Sequence, residues 1–417
     1  MSGMPEQISD KVYDTAVVGA GAAGLMTATQ CARGGASTLL LDGRSKIGAK
    51  ILMSGGTRCN VTNFQVAEKD YNSETPRAVR DVLRGFGSES AVSYFSDLGV
   101  ELKLEKGGKY FPTTHSAQTV LDALIRGANE AGVTLVTDSK VTVIRRVKDK
   151  DSFEILTSNQ RFLARTAVLT TGGLSYPSSG SDGSGYGLAQ ALGHSLVQTF
   201  PSLTPFLTND NDFKALSGIA LPARLTLKDE GGRKIEFTDS FLFTHFGFSG
   251  PAALNMSRHW KPGAVIRISF VPEESDERLI QELDMLRKHS PHQSIGNWLS
   301  DVLPERLALT LLHKSGISED QPFHQLKKEE RQRLLETLFH YPLPVAGVFG
   351  YAKAEVTAGG VNFDEVNSKT MESKLCRGLY FAGEILDVDG KIGGFNFQWA
   401  WSSGVVASRG ILKALSL

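Results

Sequence analysis

The chain has 417 residues, 41% of them hydrophobic, and its 45 lysines and arginines are balanced by 45 aspartates and glutamates. This length and composition allow two or three globular domains with large cores. The zero net charge excludes an overall field that would attract nucleic acid or an anionic membrane and leaves room for a local patch only, so small uncharged or mixed-charge ligands are the expected partners.

The first 12 residues are polar and lack the apolar core of a signal peptide. No glycine-free apolar run approaches the roughly 20 residues of a membrane span. Three distant cysteines, Cys31, Cys59 and Cys376, form neither a C-x-x-C pair nor a metal-ligand cluster. We therefore expect a soluble cytoplasmic protein in a reducing compartment, with no metal, no nucleic-acid partner and no membrane partner.

The segment "YDTAVVGAGAAGLMTATQCARGGASTLLLDGR" predicts a βαβ unit with a G-x-G-x-x-G turn. Gly19 permits the tight turn, Gly21 lets the backbone approach a pyrophosphate, and Gly24 packs the helix on the strand. Asp42 closes the second strand, where an acid binds ribose hydroxyls. The predicted dinucleotide-binding residues here are Gly19, Ala20, Gly21, Ala22, Ala23, Gly24, Asp42 and Gly43. The glycine triplet alone does not separate NAD from FAD.

The next segment, "GRSKIGAKILMSGGTRCNVTN", predicts a long polar loop with clustered glycines. Loops of this length are usually functional or disordered. Its small residues would let the chain lie against a flat ligand, and its basic residues would face an anionic ring edge or a phosphate. The predicted cofactor contacts are Lys50, Gly55, Gly56, Arg58, Cys59 and Asn60. A solvated surface loop is the alternative interpretation.

The segment "TAVLTTGGLSYP" predicts a buried strand that ends in Thr171, Gly172 and Gly173, followed by a glycine-rich turn and a short helix. Open α/β sheets bind ligands just beyond the carboxyl ends of their strands. Thr171 and Gly172 are therefore candidate cofactor residues, and a simple turn is the alternative.

From Pro201 the pattern changes. "ARLTLKDEGGRKIEFTDSFLFTHFGFSG" alternates apolar and polar residues around "DEGG", which predicts a hairpin, and "AVIRISFVP" predicts another strand. Helical periodicity follows in "ESDERLIQELDMLRKHS", "PERLALTLLHKSG" and "KKEERQRLLETLFHY", each beginning with acids or Pro-Glu. This middle region has neither a second dinucleotide fingerprint nor a redox cysteine pair, so NAD(P)H, as electron donor, would bind only transiently at the face of the bound cofactor.

The C-terminal segment "GLYFAGEILDVDGKIGGFNFQWAWSSGVVASRGILKAL" predicts strand, acid, loop, glycine pair and helix. Gly383 and Glu384 stand at the strand end, where the acid would bind a polyol hydroxyl. The helix that follows the glycine pair has a positive N-terminal dipole, which would stabilise the negative charge of a reduced flavin. The candidate residues here are Gly383, Glu384, Gly393, Gly394, Phe395 and Asn396.

The aromatic residues of this last helix, Phe395, Phe397, Trp399 and Trp401, stand two residues apart. Such spacing places them on different faces, so we expect about half to pack inward and at most one or two to line the cofactor ring. His115, His245, Cys59 and Tyr176 are candidate proton or redox groups, but each also fits a structural role. The sequence predicts no definite catalytic residue.

Taken together, these segments resemble the BaiN/YhiN-type family, flavoproteins described as NAD(P)/FAD-dependent oxidoreductases of mostly unassigned substrate. The resemblance rests on the glycine fingerprint from Gly19, "KILMSGGTRCNVTN", "GKYFPTTHSAQTV", "TTGGLSYPSSGSDGSGYGLAQALGH", "THFGFSGPAALN", "TAGGV" and "TMESKLCRGLYFAGEILDVDGKIGGFNFQWAWSSG". One departure is Thr57, which stands where the family pattern has a third glycine. More distantly, "DGSGYGLAQALG" is similar to a segment of fumarate reductase flavoproteins.

The resemblance implies an α/β fold of the glutathione-reductase type, in which an FAD-binding Rossmann-like domain carries an inserted β-barrel-like part and a helical part. It also implies that the backbone of Val141 meets the adenine. The predicted division is 1–200 and 357–417 for the FAD-binding domain, 201–273 for the β-rich insert, 274–341 for the helical insert and 342–356 for a return strand.

The expected function is an FAD-dependent oxidoreductase, NAD(P)H-linked, that moves hydride equivalents through non-covalently bound flavin to a small organic substrate. Three alternatives stay open at this point: an oxidase that reduces oxygen, a flavin-dependent RNA-modifying protein, and a flavin-binding protein without turnover.

Overall fold

A computed structural model describes residues 7–147 and 151–417, with the backbone alone for 7–10. The described chain forms two compact units, the first made of residues up to Ser202 together with Ala354–Leu417 and the second of Leu203–Lys353. The first unit is thus discontinuous in sequence.

The α-helices come first, as the elements that carry most of the candidate residues. In chain order they are α1 (Ala22–Arg33), α2 (Ala49–Thr57), α3 (Pro76–Gly85), α4 (Ser88–Asp97), α5 (Ala117–Glu130), α6 (Ser184–Ala191), α7 (Asn211–Ala215), α8 (Gly250–Ser257), α9 (Asp276–His289), α10 (Ile295–Val302), α11 (Glu305–Ser315), α12 (Lys328–Phe339) and α13 (Phe395–Leu415).

The β-strands form sheets within each unit. In chain order they are β1 (Gln7–Val18), β2 (Thr38–Leu41), β3 (Thr62–Asn63), β4 (Tyr71–Asn72), β5 (Leu102–Glu105), β6 (Lys109–Pro112), β7 (Thr134–Val136), β8 (Val141–Arg146), β9 (Phe153–Thr157), β10 (Gln160–Leu169), β11 (Leu196–Ser202), β12 (Phe206–Leu207), β13 (Ala220–Lys228), β14 (Lys234–Thr244), β15 (Gly247–Ser249), β16 (Arg267–Ser269), β17 (Tyr341–Pro342), β18 (Gly347–Val348), β19 (Val356–Val361), β20 (Leu379–Phe381) and β21 (Asp389–Gly390).

The main sheet of the first unit joins the two ends of the chain. Its parallel part runs β7-β2-β1-β10-β20, and the antiparallel strands β9 and β8 continue the sheet beside the first half of β10. β10 therefore pairs along one edge with β1 and along the other with both β9 and β20. Strand β2 is buried at every position, as expected of a parallel strand covered on both faces.

Helices α1 and α13 pack against each other beside this sheet. Because β1 leads into α1 and β20 precedes α13, the first glycine turn and the C-terminal segment belong to one packed layer. The parallel sheet with its crossover helix gives the α/β class that the sequence predicts.

The second unit contains an antiparallel sheet in the order β17-β16-β13-β14-β15-β12-β18. The predicted hairpin is present as β13 and β14, paired from Ala220–Leu242 to Lys228–Lys234. Helices α9 to α12 lie between β16 and β17 in the chain. Helix α9 begins as the sequence predicts, with the Ser275 hydroxyl accepting from the Arg278 N–H and acids in the first turn.

The segment after β2 and the helical insert both differ from the sequence expectation. The predicted polar loop after β2 contains α2, because Ala49–Met53 are good helix formers, and its regular conformation breaks at Ser54, Gly55 and Gly56. Helix α10 was not predicted: only eight residues long, it offers a short periodic signal, although Ser294 caps it by accepting from the Asn297 N–H. Within the described residues, no helix is long and apolar enough to span a bilayer.

Candidate cofactor site

The turn after β1 has the geometry of a dinucleotide-binding turn. Gly19 adopts φ +106°, a left-handed conformation that favours glycine. The Asp42 carboxylate accepts from the Ala20 N–H at 2.7 Å and from the Arg44 N–H at 2.9 Å. Burial raises the pKa of Asp42, although these two hydrogen bonds oppose the shift. The end of β1, the Asp42 carboxylate and the start of α1 are thus held together.

Gly21 and Gly24 meet opposite surroundings. A Cβ atom on Gly24 would lie 1.8 Å from the Gly19 carbonyl oxygen, whereas one on Gly21 would meet nothing within 4 Å. Gly24 is therefore required for helix–strand packing, and Gly21 faces open space at the start of α1. This difference matches the separate roles that the sequence assigns to the two glycines.

A charged cluster joins the two ends of the first unit. Lys50 Nζ lies 2.6 Å from Glu384 Oε2 and 2.6 Å from Ser175 Oγ. The Ser175 hydroxyl donates to Glu384 Oε1 at 2.5 Å, and the Thr357 N–H donates to the same oxygen at 3.0 Å. We name these four residues the Lys50 cluster. It brings together Lys50 and Glu384, which the sequence selected separately, with Ser175 and Thr357, which it did not.

The glycine-rich loop is held in left-handed backbone. Gly55, Gly56, Thr57 and Cys59 have φ values of +56°, +66°, +68° and +60°. Thr57 occupies the position where the family pattern has glycine, and this conformation costs a non-glycine residue about 1–2 kcal/mol. The loop therefore keeps the path that a glycine would follow, despite the departure.

The side chains of Arg58 and Cys59 are already engaged. Arg58 Nη1 lies 3.1 Å from both carboxylate oxygens of Glu105, and its guanidinium lies 3.9 Å from the centre of the Phe111 ring. Cys59 is fully buried, and burial raises its pKa to about 12. A thiol with that pKa is not a redox nucleophile at neutral pH. Cofactor contact by these two residues stays a prediction, limited for Cys59 to its backbone.

Two buried polar atoms fit a missing ligand. Asn60 Oδ1 and Thr171 Oγ1 are enclosed and have no hydrogen-bond partner among the described residues. Buried polar atoms are normally paired, and an unpaired one at a candidate site fits a group that hydrogen-bonds to a ligand. A Cβ atom on Gly394 would lie 2.9 Å from Asn60 Oδ1, so glycine is required where these two segments meet. The residues present therefore suit a flavin dinucleotide.

The glycine pair before α13 adopts a left-handed backbone that favours glycine. Gly393 and Gly394 adopt φ +119° and +94°, and Gly394 precedes the first turn of α13. Gly383, after β20, has φ +80°. Asn396 has a structural role: its Oδ1 accepts from the Gly390 N–H at 2.7 Å and its amide donates back to the Gly390 carbonyl.

The aromatic residues of α13 are mostly core residues. Phe395, Trp399 and Trp401 are buried, while Phe397 is half-buried and stacks on Trp401 at 5.6 Å. We expected about half of these four rings to pack inward, and three do, so the expectation is wrong by one residue. The reason is that neighbouring elements enclose α13 on nearly every side. The indole N–H groups of Trp399 and Trp401 donate to the carbonyls of Gly383 and Val61, so both rings hold site loops in place.

Val141 lies at the start of the edge strand β8, beside a cleft of about 330 Å³ that Gly187, Leu188 and Ala191 of α6 also line. A Cβ atom on Gly187 would meet nothing within 4 Å. Adenine contact by the Val141 backbone stays a prediction, and the cleft gives it space.

The two histidines that the sequence selected lie apart in the fold. His115 is exposed before α5 in the first unit, with φ +53°. His245 is exposed beside Phe246 in the second unit. The described residues also contain no group of His, Cys, Asp and Glu side chains that could hold a metal ion.

The carboxyl group of Asp387, which the sequence analysis did not select, lies shortly after Glu384 of the Lys50 cluster in the chain. Burial and the neighbouring acids Asp389 and Glu74 raise the pKa of Asp387 to about 6, although the Gly359 N–H donates to it. Glu74 is distant in sequence, so no local pattern shows its effect on Asp387. Only the two acids of "DVDG", Asp387 and Asp389, are close together in the sequence.

Asp387→Asn is expected to stabilise the protein at neutral pH but not near pH 4. The folded pKa is about 6 and the unfolded one about 4, so the folded state binds the proton more tightly and the wild type loses stability as pH rises through that window. Asp387→Asn removes the titrating carboxyl group, so the variant does not lose stability in this pH window. Urea unfolding should show a gain of about 1–2 kcal/mol at neutral pH, vanishing near pH 4.

The exposed Asp97→Asn on α4 is the matched control, with no such pH-dependent gain expected. A constant difference between Asp387→Asn and wild type at both pH values would contradict the linkage.

Comparison with known proteins gives the family. A model described as the HI0933-like protein Rossmann domain matches residues 13–410. The chain belongs to this family. HI0933-like proteins are flavoprotein oxidoreductases with an FAD-binding Rossmann fold, so the predicted family resemblance, the fold class and the flavoprotein class are confirmed.

Three relatives of this HI0933-like chain are similar over nearly their whole length. It is 35% identical over 401 residues to the ribosomal RNA dihydrouridine synthase of Haemophilus influenzae, covering 95% of this chain and 98% of that protein. It is 35% identical over 407 residues to the protein of the same name from Escherichia coli, covering 97% and 99%. It is 32% identical over 403 residues to the 3-dehydro-bile acid delta(4,6)-reductase of Clostridium scindens, covering 94% and 97%.

Proposed function

We propose that this protein is an FAD-dependent reductase of a carbon–carbon double bond conjugated with a carbonyl group, and that its substrate is uridine in ribosomal RNA. The observation that carries the proposal is the similarity to two proteins named ribosomal RNA dihydrouridine synthase over almost their full lengths. Dihydrouridine is uridine whose ring double bond, conjugated with a carbonyl, has been reduced.

The third relative supports the same chemistry. A reductase of a 3-dehydro-bile acid also acts on double bonds conjugated with a ketone. Because all three names describe reduction of an activated double bond, they favour a reductase over the oxidase and non-catalytic alternatives.

The chain's own residues supply a frame for the cofactor. The turn at Gly19–Gly24 would hold the diphosphate, and Asp42 and Glu384 would bind the ribose and the polyol hydroxyls. Lys50 would place a positive charge beside the phosphates or the ring, and the N-terminus of α13 would favour negative charge on the reduced ring. When bound, the flavin supplies the hydride chemistry. We keep NAD(P)H as the proposed donor, bound transiently.

A cationic face on α3 suits an RNA partner. Arg77 and Arg84 are exposed on the side of α3 opposite its buried residues Val79, Val82 and Leu83. Arg80 lies at the border of this side, half-buried and with its Nε enclosed. Among the described residues none of these arginines forms an ion pair, and Arg409 of α13 joins them by donating to the Gly85 carbonyl at 2.7 Å.

Asp81 is the acid on this same side of α3, so the face keeps an excess of positive charge. Unpaired arginines bind phosphates without reading sequence. The proposal therefore replaces the expectation of no nucleic-acid partner, since a local patch overrides the zero net charge.

Arg77→Glu combined with Arg84→Glu is expected to weaken RNA binding at least tenfold and to flatten its salt dependence, because each lost phosphate contact removes released counterions. Filter binding of ribosomal RNA over a salt series measures this change. Arg287→Glu with Lys288→Glu, exposed on α9, is the charge-matched control. Equal loss in both double variants would show that α3 is not the contact.

The function is tested in cells and with purified protein. Ribosomal RNA from a deletion strain should lack a dihydrouridine that plasmid-borne wild type restores, as measured by mass spectrometry of nucleosides. The purified protein, with its flavin reduced beforehand and kept free of oxygen, should be reoxidised by ribosomal RNA from the deletion strain. Ribosomal RNA from the wild-type strain should not reoxidise it. Reoxidation by a conjugated steroid ketone alone would instead favour the bile-acid type of substrate.

A further inference from the structure

Tyr176 has an unusual backbone next to the Lys50 cluster. It adopts φ +49° and ψ 65°, a left-handed conformation that a bulky aromatic residue seldom takes. Such strain persists where the surroundings fix it, and it concentrates at functional sites. In this chain the strain directly follows Ser175, whose hydroxyl donates to Glu384.

Hydrogen bonds to one threonine fix this position. Thr357 Oγ1 accepts from the Leu174 N–H at 2.7 Å and from the Ser175 N–H at 3.0 Å. Thr357 in turn donates its own N–H to Glu384. The loop that carries Tyr176 is thereby tied to the start of β19, where Glu355 stands two residues before Thr357.

The phenol of Tyr176 is free to act on a ligand. Within the described part of the chain its hydroxyl forms no hydrogen bond, and the ring is half-buried. Burial and the negative charge of Glu355 raise the pKa of Tyr176 to about 12, so the phenol stays protonated at neutral pH.

Glu355 has a matching environment. Its side chain reaches solvent, yet the protein around it and the charge of Glu384 raise its pKa, with Lys50 opposing the shift. A carboxyl group that is exposed to water and close enough to feel the charges of Glu384 and Lys50 can carry a proton between solvent and a neighbour.

We propose that the Tyr176 hydroxyl donates the proton that completes reduction of the substrate's double bond, and that Glu355 returns a proton from solvent to Tyr176. This inference rests on the proposed function. It assigns a catalytic residue where the sequence predicted none.

The step balances as follows. One alkene carbon receives the hydride that the reduced cofactor supplies, and the electron pair of the double bond moves to the carbon next to the carbonyl. That carbon forms a C–H bond as the Tyr176 O–H bond breaks. The phenolate then takes the Glu355 proton, and the carboxylate is reprotonated by water. The substrate thus gains two hydrogens, one as a hydride that carries two electrons and one as a proton.

The other proton-bearing groups near the cluster have hydrogen-bond partners of their own or are enclosed: Asp387, for example, accepts from the Gly359 N–H. Lys50 is paired with Glu384 and Ser175. The Ser175 hydroxyl donates to Glu384, and Cys59 is completely enclosed. Tyr176 is the acid beside the cluster whose hydroxyl is unengaged within the described residues.

Tyr176→Phe tests the inference in rapid mixing of prereduced protein with two acceptors, ribosomal RNA from the deletion strain and 2-cyclohexenone. Loss of the proton donor is expected to slow flavin reoxidation about 100-fold or more, while FAD content and reduction by dithionite stay as in wild type. Glu355→Gln should slow repeated turnover more than the first one. Tyr13→Phe, in the core of the same unit, is the control and should react as wild type.

The outcomes separate the two claims. If ribosomal RNA reoxidises wild type and Tyr176→Phe equally fast, this inference is overturned and the proposed function stands. If only the ketone reoxidises both proteins, and equally fast, the inference and the RNA substrate are both overturned. If ribosomal RNA fails and the ketone succeeds with a slow Tyr176→Phe, the RNA substrate is overturned and the proton donor stands. If neither acceptor oxidises the wild type, both are overturned.

A second readout needs no substrate. Ultraviolet titration of tyrosinate, taken as wild type minus Tyr176→Phe, reports the Tyr176 phenol directly. Glu355→Gln should lower the pKa of that phenol, because it removes a neighbouring negative charge. An unchanged titration would sink the proposed coupling between the two residues.

Discussion

Gly24→Ala is expected to abolish the folded FAD-binding unit or to destabilise it by about 3 kcal/mol or more. The added Cβ atom would lie 1.8 Å from the Gly19 carbonyl oxygen, so α1 must move away from β1, and backbone on both sides cannot yield cheaply. The loss should appear as a lower unfolding midpoint in urea and as little soluble yellow protein.

Gly21→Ala is the matched control at the same turn. Its Cβ atom would meet nothing within 4 Å, and Gly21 has φ −82°, which alanine adopts without strain. The apoprotein should therefore unfold as wild type does, while FAD binds at least tenfold more weakly because the methyl group occupies the approach of the diphosphate. Equal stability losses in both variants would contradict the division of roles.

Lys50→Met is expected to weaken FAD binding about 10- to 100-fold, the range for a lost charge-assisted hydrogen bond. The variant keeps the long apolar stem but leaves Glu384 with the Ser175 hydroxyl and the Thr357 N–H as its described partners. An unneutralised carboxylate would then lie in the cofactor cradle. Quenching of flavin fluorescence during titration of apoprotein measures the dissociation constant.

Lys261→Met gives the control for Lys50→Met, since Lys261 pairs with Glu230 at 3.0 Å on the surface of the second unit. Surface pairs of this kind contribute little, and FAD affinity should stay at the wild-type value. Retention of wild-type affinity by Lys50→Met would remove Lys50 from the cofactor site.

The sequence was most informative where local geometry alone decides the outcome. The glycine turn at Gly19, the hairpin β13–β14 and the glycine pair at Gly393 each depend on residues close together in the chain, and each forms as predicted. Lys50 and Glu384 were both selected, but their 2.6 Å ion pair was not, since nothing in a linear pattern tells which distant charges meet.

The sequence was less informative where tertiary packing decides. Thr357 carries no local sign that its hydroxyl will fix the loop of Ser175, and the two residues are far apart in the chain. The raised pKa of Asp387 likewise comes first from burial and then from the charges of Asp389 and of Glu74, and both burial and Glu74 depend on segments distant in the chain. The arginines of α3 stand at helical spacing in the sequence. Because the net charge of the whole chain is zero, the sequence analysis did not predict a nucleic-acid partner for them.

The shared edge of β10 has a consequence for biosynthesis. While the ribosome is still translating the second unit, β10 can pair with β1 and β9, but β20 and α13 have not yet been made. Lys50 then has no Glu384 to neutralise it, and the glycine turn lacks the far wall of its pocket. We therefore expect flavin to load only after the polypeptide is finished, so a chain stalled before β20 should leave the ribosome colourless.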